Sequence, residues 1–586
     1  MRIRARAHRV IVSIVGVFVL LPSVASIALC EERATLSLVC SREDAGESSI
    51  YEPVDSWIYP AMLRLYGLGY IRHEFLGLRP WTRESIVRTA NEVAEELTAN
   101  PDAPQAEEAR AILDRVRKDI VWSSDAACLG KKDRLRVESV YNVIRGVDGV
   151  ALTDSFHLGQ TVVNDYGRPV EEGANNYTGA SGSLVYKRFA LYVRGENEVA
   201  PSFTGYSAGL AQQLSNIDLT SFINQQTGLP NVQSTIPYGA METVRQGRVV
   251  EAYLSTKFVG HVFSFGKQDE WWGPGVGAAM AYSNNAENVY AFHVNRTDGL
   301  HIPYLSRVTG PFRYEFLVGP TKGHNEPLDP WVHAEKISFR PTENLEFGFE
   351  RTVLWGGKGH TPITIHSFLK SFFSVQNVTS EEKNSREDPG ARFGAFDFSY
   401  RLPGVRNWLT FYADSEAHDD VSPISAPRRA AYRPGIYLSH FPKLSKLDLR
   451  AEAANTDASS RRSIQGQFQY WEGIEKQGYT NNGQLFGDWI GREDKGGQAW
   501  LTYHLSGNEW LQASVRTQKA TKDFIPGGTT LNDISFEVVK RFKAQYELKL
   551  DGTVEHWKAP IYLSGEQTVG VADVEIRWYP KFEKRF

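Results

Sequence analysis

Trp271 and Trp272 stand side by side between Asp269-Glu270 and Gly273-Pro-Gly275, with Asn284 and Asn285 a short way downstream. Those residue types suit a sugar. Aromatic planes stack on the C–H face of a pyranose, and carboxylates and amides bond its hydroxyls. A second candidate group is Arg351, Trp355 and His360, where an alternating stretch runs into glycines. Each group has a structural alternative. Paired tryptophans at a strand end also build interfacial aromatic belts, and Arg351 could pair with carboxylates of neighbouring strands.

Catalytic patterns are weaker. Gly205-Tyr-Ser207-Ala-Gly209 has the spacing of a nucleophile elbow, but an elbow needs a buried strand before the serine and a helix after it. Pro201 interrupts the preceding segment and no partner histidine or aspartate can be assigned, so the stretch reads as a loop. An exported esterase acting on glycans would require Ser207. Gly273-Pro-Gly-Val-Gly277 lacks the spacing of a phosphate cradle. Asp419/Asp420 and Glu381/Glu382 are neighbours whose side chains would face opposite ways on a strand, so they read as solvated loop charges. There is no Cys-x-x-Cys, no His-Glu-x-x-His and no run of histidines. The expectation is a non-catalytic protein with no cofactor and no structural metal.

The elements that position these residues fall into three parts. Residues 1–30 read as a signal peptide: Arg2, Arg4, Arg6 and Arg9 precede an apolar run from Val10 to Leu21, and small residues Ser23, Ala25, Ser26 and Ala28 follow. A lipid-anchored Cys30 is the alternative. Residues 31–132 read as helical. Expected helices run from Trp57 to Leu68, from an N-cap at Thr82 through Leu97, and from Gln105 to Val121. In an exported protein, Cys40 and Cys128 flanking this segment are expected to form a disulfide.

From residue 133 to 586 the period becomes that of strands. Phe396, Phe398 and Tyr400 alternate with Asp397, Ser399 and Arg401, and Val574, Ile576 and Trp578 alternate with Asp573, Glu575 and Arg577. A soluble sandwich also alternates, but here both charge signs share one face while large aromatics take the other. That is the pattern of a membrane barrel with a wet lumen. Beyond residue 30 no run of about twenty apolar residues offers a helical span. Aromatics at 12% and 50 glycines fit many strands and tight turns, and a dispersed net charge of −4 invites no nucleic acid. The pattern gives 18 to 20 strands. Counting back from the C-terminal strand places the Pro403-Gly-Val405 turn outside and the longer 417–430 segment inside, the reverse of the usual order.

Several stretches resemble the capsule assembly Wzi family. They are Gly266 followed by Trp271-Trp-Gly-Pro-Gly275, then Ser283-Asn-Asn-Ala286; Tyr51-Glu-Pro-Val-Asp-Ser-Trp57; Leu78-Arg-Pro-Trp-Thr-Arg-Glu84; and Gly478-Tyr-Thr-Asn-Asn-Gly483. The resemblance implies an outer-membrane β-barrel of 18 antiparallel strands with a small helical periplasmic domain. It implies a lectin that retains capsular or other exopolysaccharide, a monomer embedded in outer-membrane lipid and inserted by the barrel assembly machinery. The alternative, from a different class, is a saccharide-permeable channel.

Overall fold

A strand with charges on one face and aromatics on the other cannot sit in an open sheet inside a bilayer, because both its edges and its polar face need partners. This chain answers by closure. The computed structural model describes residues 49–120, 133–224, 228–375, 378–419, 422–458, 460, 465–543 and 545–586. The expected signal peptide, Cys30, Cys40 and Cys128 lie outside the described residues.

Eighteen antiparallel strands form one closed barrel. The first six are β1 Arg134–Asp148, β2 Gly173–Tyr186, β3 Phe189–Ala200, β4 Val244–Phe258, β5 His261–Lys267 and β6 Tyr290–Arg296. Then come β7 Phe312–Pro320, β8 Trp331–Thr342, β9 Leu345–Trp355, β10 Ala391–Arg401, β11 Leu409–His418 and β12 Ala430–Leu438. The last are β13 Leu447–Asn455, β14 Asp494–Ser506, β15 Glu509–Ala520, β16 Thr529–Phe542, β17 Tyr546–Lys558 and β18 Gln567–Trp578. Each pairs with the next, and β18 closes on β1 with Trp578 opposite Val140. Glu583–Arg585 continues that edge, placing Glu583 opposite Arg136.

Alternation sorts the side chains as the sequence predicts. Phe265, Phe292, Ile337, Ile534, Phe536 and Ile576 are exposed on the outer face, where they form an apolar belt. Lys336, Glu346, Glu350, Asp397, Arg401 and Arg433 are buried on the inner face.

The two ends differ. Turns of two residues join β2 to β3, β4 to β5 and β8 to β9. In the β4–β5 turn Val259 and Gly260 both take positive φ, 49° and 71°, the twist a tight hairpin requires. Long connections 149–172, 201–243, 268–289, 356–390 and 456–493 gather at the other end. The Pro403 turn lies at the short-turn end and 419–429 at the long-loop end. This corrects the order expected from counting strands.

The helices form where the apolar period predicts. They are α1 Ile58–Gly67, α2 Arg83–Ala99 and α3 Ala106–Ile120. Thr82 caps α2 by accepting from the Ser85 amide at 3.2 Å. Ile86, Val93, Leu97, Ile112, Leu113 and Val116 share one core. That core is joined to the barrel, because Val276 and Trp510 pack against it. Ion pairs complete the seat: Arg83 with Glu138 at 3.0 Å, Arg194 with Asp55 at 2.8 Å, and Arg541 with Asp119 at 3.2 Å. Residues 49–120 therefore plug the short-turn end of the barrel from within.

Candidate functional site

The Trp-Trp stretch lies inside the barrel, and its main contacts are with the N-terminal region. Trp272 and Trp271 form a two-residue antiparallel pair with Leu78 and Arg79. Arg79 also lies over the Trp271 ring at 5.5 Å and donates to the Gly275 carbonyl at 2.9 Å. Asp269 accepts from the Val54 amide at 2.9 Å, the Tyr166 hydroxyl at 3.0 Å and Asn288 at 2.8 Å. Burial, reinforced by the Asp55 carboxylate, pushes the Asp269 carboxyl up from its ordinary range. Trp272 is fully buried, beside Tyr282.

The glycines that follow let the chain cross the lumen. Val276 and Gly277 give their amides to Glu452 at 2.9 and 3.1 Å, and Met280 gives its amide to Asp414 at 2.6 Å. A Cβ on Gly277 would sit 2.6 Å from the Trp500 ring, so only glycine allows this approach. Trp271 also borders a cavity of about 290 Å³ shared with Arg79, Tyr437, Arg450, Trp500 and His504.

The second group holds a loop helix. Arg351 donates to the Phe372, Ser371 and Ser374 carbonyls at 2.6, 2.8 and 2.6 Å, the last turn of the helix α5 at Ile365–Phe373 (α4 being Ala208–Ile217). A cation at those carbonyls complements the helix dipole. Trp355 is buried edge-on against Trp331 and His333. His360 bonds Asp388 at 2.9 Å. Ser207 is the exposed N-cap of α4, accepting from the Leu210 amide at 3.2 Å, with no histidine or carboxylate bonded to it among the described residues. A helix does follow Ser207, contrary to the sequence reading, yet the hydroxyl serves as a cap.

At the long-loop end four connections surround a cavity of about 210 Å³. Asp165, Arg168 and Glu171 come from 149–172, Ser234 from 201–243, Asn285 from 268–289, and Asn482 and Gln484 from 456–493. Asn285 accepts from the Asn164 amide at 3.0 Å, and its carbonyl accepts from the Gly167 amide at 3.0 Å. Asn284 accepts from the Tyr166 amide through its carbonyl at 2.8 Å. Arg168 is fixed by Asp165 and Glu196 at 2.5 Å each. Burial pushes the Glu171 carboxyl up to about 8, so at neutral pH it is largely protonated and can donate as well as accept. Asn482 is exposed and Gln484 half-buried. Amides, a carboxyl and a guanidinium around a dent of this size suit one or two sugar units of a polymer.

Of the sequence candidates, only Asn285 reaches this mouth. The 149–172 loop was missed because nothing in its types distinguishes it from a strand connection. Asn482 does sit in one of the family-like stretches.

The sequence profile of the capsule assembly protein Wzi family matches residues 144–569, well over half of the chain. Among solved structures, Wzi of Escherichia coli, an outer membrane protein involved in group 1 capsule assembly and a carbohydrate-binding β-barrel, superposes with a TM-score of 0.62. It is 16% identical, and the match covers 91% of this chain and 100% of that one; at this identity the likeness is one of fold. An uncharacterized 55.8 kDa protein of the Klebsiella pneumoniae cps region is 25% identical over 171 residues, 29% of this chain. The matched stretch spans 33% of that relative.

Proposed function

Because this chain belongs to the capsule assembly protein Wzi family, we propose that it is an outer-membrane lectin that binds a surface polysaccharide and holds it on the cell. The helical end of the barrel is the periplasmic end in this reading, and the long-loop mouth faces outward. The observation that carries it is the polar four-loop cavity standing over a lumen already filled by residues 49–120 and 268–289. Weak contacts to one unit of a polymer, repeated along it and across many barrels, sum to firm retention. The carbohydrate binding of the Escherichia coli protein is extended to this chain on shared family and fold. In this reading Trp271 and the Arg351 group act by holding the plug and the loop helix, not by touching polymer.

The reading is non-catalytic, since Ser207 is engaged as a helix cap. The filled lumen favours a lectin over a saccharide channel. Outer-membrane lipid on the apolar belt, insertion by the barrel assembly machinery and a monomeric state complete the proposal.

The test is cellular. Deleting the gene should shift surface polysaccharide from the cell-attached to the released fraction. Wild type should restore attachment, and Asn482→Ala/Gln484→Ala should restore it poorly while folding normally. Unchanged partition on deletion would reject the function.

A further inference from the structure

Glu270, His293 and Glu315 come together inside the barrel from three neighbouring elements. Glu270 follows β5, His293 is on β6, and Glu315 is on β7, one diagonal step from it, with Asn295 opposite Glu315 and His293 opposite Leu317. All three are buried, each about 1% exposed. His293 Nδ1 lies 3.1 Å from Glu270 Oε1 and 4.0 Å from Glu315 Oε1. All the facing atoms are within 4.8 Å of one another.

Three observations say that something belongs between them. First, neither ring nitrogen of His293 has a hydrogen-bond partner, and Glu315 Oε1 has none either. The 3.1 Å approach to Glu270 is therefore off the line of an N–H bond. Ligands bonded at about 2.0–2.1 Å to one ion sit at about 3 Å from each other without bonding. Second, the far oxygens are held by donors. Trp272 Nε1 donates to Glu270 Oε2 at 2.8 Å, and Asn295 donates to Glu315 Oε2 at 2.7 Å. Only a long contact from Gln268, at 3.4 Å, reaches Glu270 Oε1. Outer partners that orient the distal oxygen and leave the near one free are what metal-binding carboxylates use.

Third, charge is not balanced. Among the described residues no lysine or arginine forms an ion pair with Glu270 or Glu315. Arg313 is the nearest cation and offsets part of the charge, but its Nη1 is given to Glu74 at 3.4 Å and to the Leu78 carbonyl at 3.2 Å, and it makes no ion pair with either carboxylate. Buried carboxylates that lack a directly paired cation cost several kcal/mol each. The other such cluster, His418, Asp419 and Glu472, already contains Lys383, 3.0 Å from Glu472 and 3.4 Å from Asp419.

We propose that Glu270, His293 and Glu315 bind one divalent ion of the zinc class within the barrel. One imidazole and two carboxylates select that class over calcium or magnesium, which prefer oxygen ligands alone. The ion would neutralise the pair of carboxylates and, through Glu270 and Trp272, pin the strand pair that holds the N-terminal plug. Sequence patterns gave no hint, because the ligands sit on separate strands and form no short motif.

The experiment uses full-length protein folded in detergent after chelation, once with zinc and once without, then desalted. Metal is counted by mass spectrometry, and cobalt is substituted for its visible spectrum. The expected result is one ion per chain for wild type, a rise in unfolding temperature with zinc, and a visible cobalt band. His293→Gln and Glu315→Gln, each checked for heat-modifiable mobility, should lose at least tenfold in bound metal and all of the temperature response. A folded wild-type barrel that retains no metal and gives no cobalt band would overturn the proposal. So would His293→Gln binding as much as wild type.

Discussion

Leu78 stands directly opposite Trp272 in an antiparallel pair inside the barrel, so the N-terminal region and the lumen-crossing loop share one small sheet. Gly77 extends it, its carbonyl accepting from the Gly273 amide at 2.9 Å and its amide donating to Glu346 at 2.9 Å. Trp272→Ala should remove a fully buried indole and cost about 3–5 kcal/mol locally. The wild-type barrel should be nearly silent in a planar bilayer. The variant should show frequent openings and a lower unfolding temperature. Equal conductance in the two would deny that this pair seals the lumen.

Lys336 joins the plug to the wall. It lies 2.7 Å from both Glu350 and Asp397 and donates to the Gly77 carbonyl at 2.6 Å. Lys336→Met strands two buried carboxylates and should destabilise by about 3–5 kcal/mol. Adding Glu350→Gln and Asp397→Asn should recover much of the loss. Urea unfolding in detergent reads both steps.

His157 ties three loops together. Its ring bonds Asp154 at 3.0 Å and Asp218 at 2.8 Å, Arg492 meets Asp218 at 2.7 Å, and Tyr206 donates to Asp154 at 2.7 Å. Burial alone would lower the imidazole, but the Asp154 and Asp218 carboxylates override it and raise it from 6.5 to about 9. The folded loops bind this proton more tightly than the unfolded chain does. Their stabilisation is complete below 6.5 and is lost as pH rises through about 9. Limited proteolysis of the 149–172 loop should accelerate across that window in wild type. In His157→Gln it should be faster at neutral pH and flat with pH.

Much of this fold was legible because two physical rules act locally. Charged and aromatic residues alternate wherever a strand separates lipid from lumen, and α1 to α3 announce themselves by apolar period and by the Thr82 cap. The order of the ends was not legible. Sidedness depends on the parity of the whole count, so one strand missed or added between Val405 and the C-terminal strand inverts every earlier connection. The site was harder still. Trp271, Trp272 and Asp269 looked like sugar ligands by type, and the structure engages them with residues 54–79, a contact that no spacing encodes. Asn285 was reached by the same reasoning, yet it stands in the buried wall of the mouth, bonded to Asn164 and to the Leu485 carbonyl. Arg168 and Glu171 owe their place to folding of the mouth, not to any local pattern.

If surface polysaccharide binds at the four-loop mouth of a filled barrel, immobilised, detergent-folded wild type and Asn482→Ala/Gln484→Ala should differ in retention of the organism's own extracted polysaccharide. Wild type should retain it clearly and the double variant should lose tenfold or more, with heat-modifiable mobility unchanged. No retention by a well-folded wild-type barrel would contradict the lectin reading, and equal retention by the variant would remove the site from the mouth.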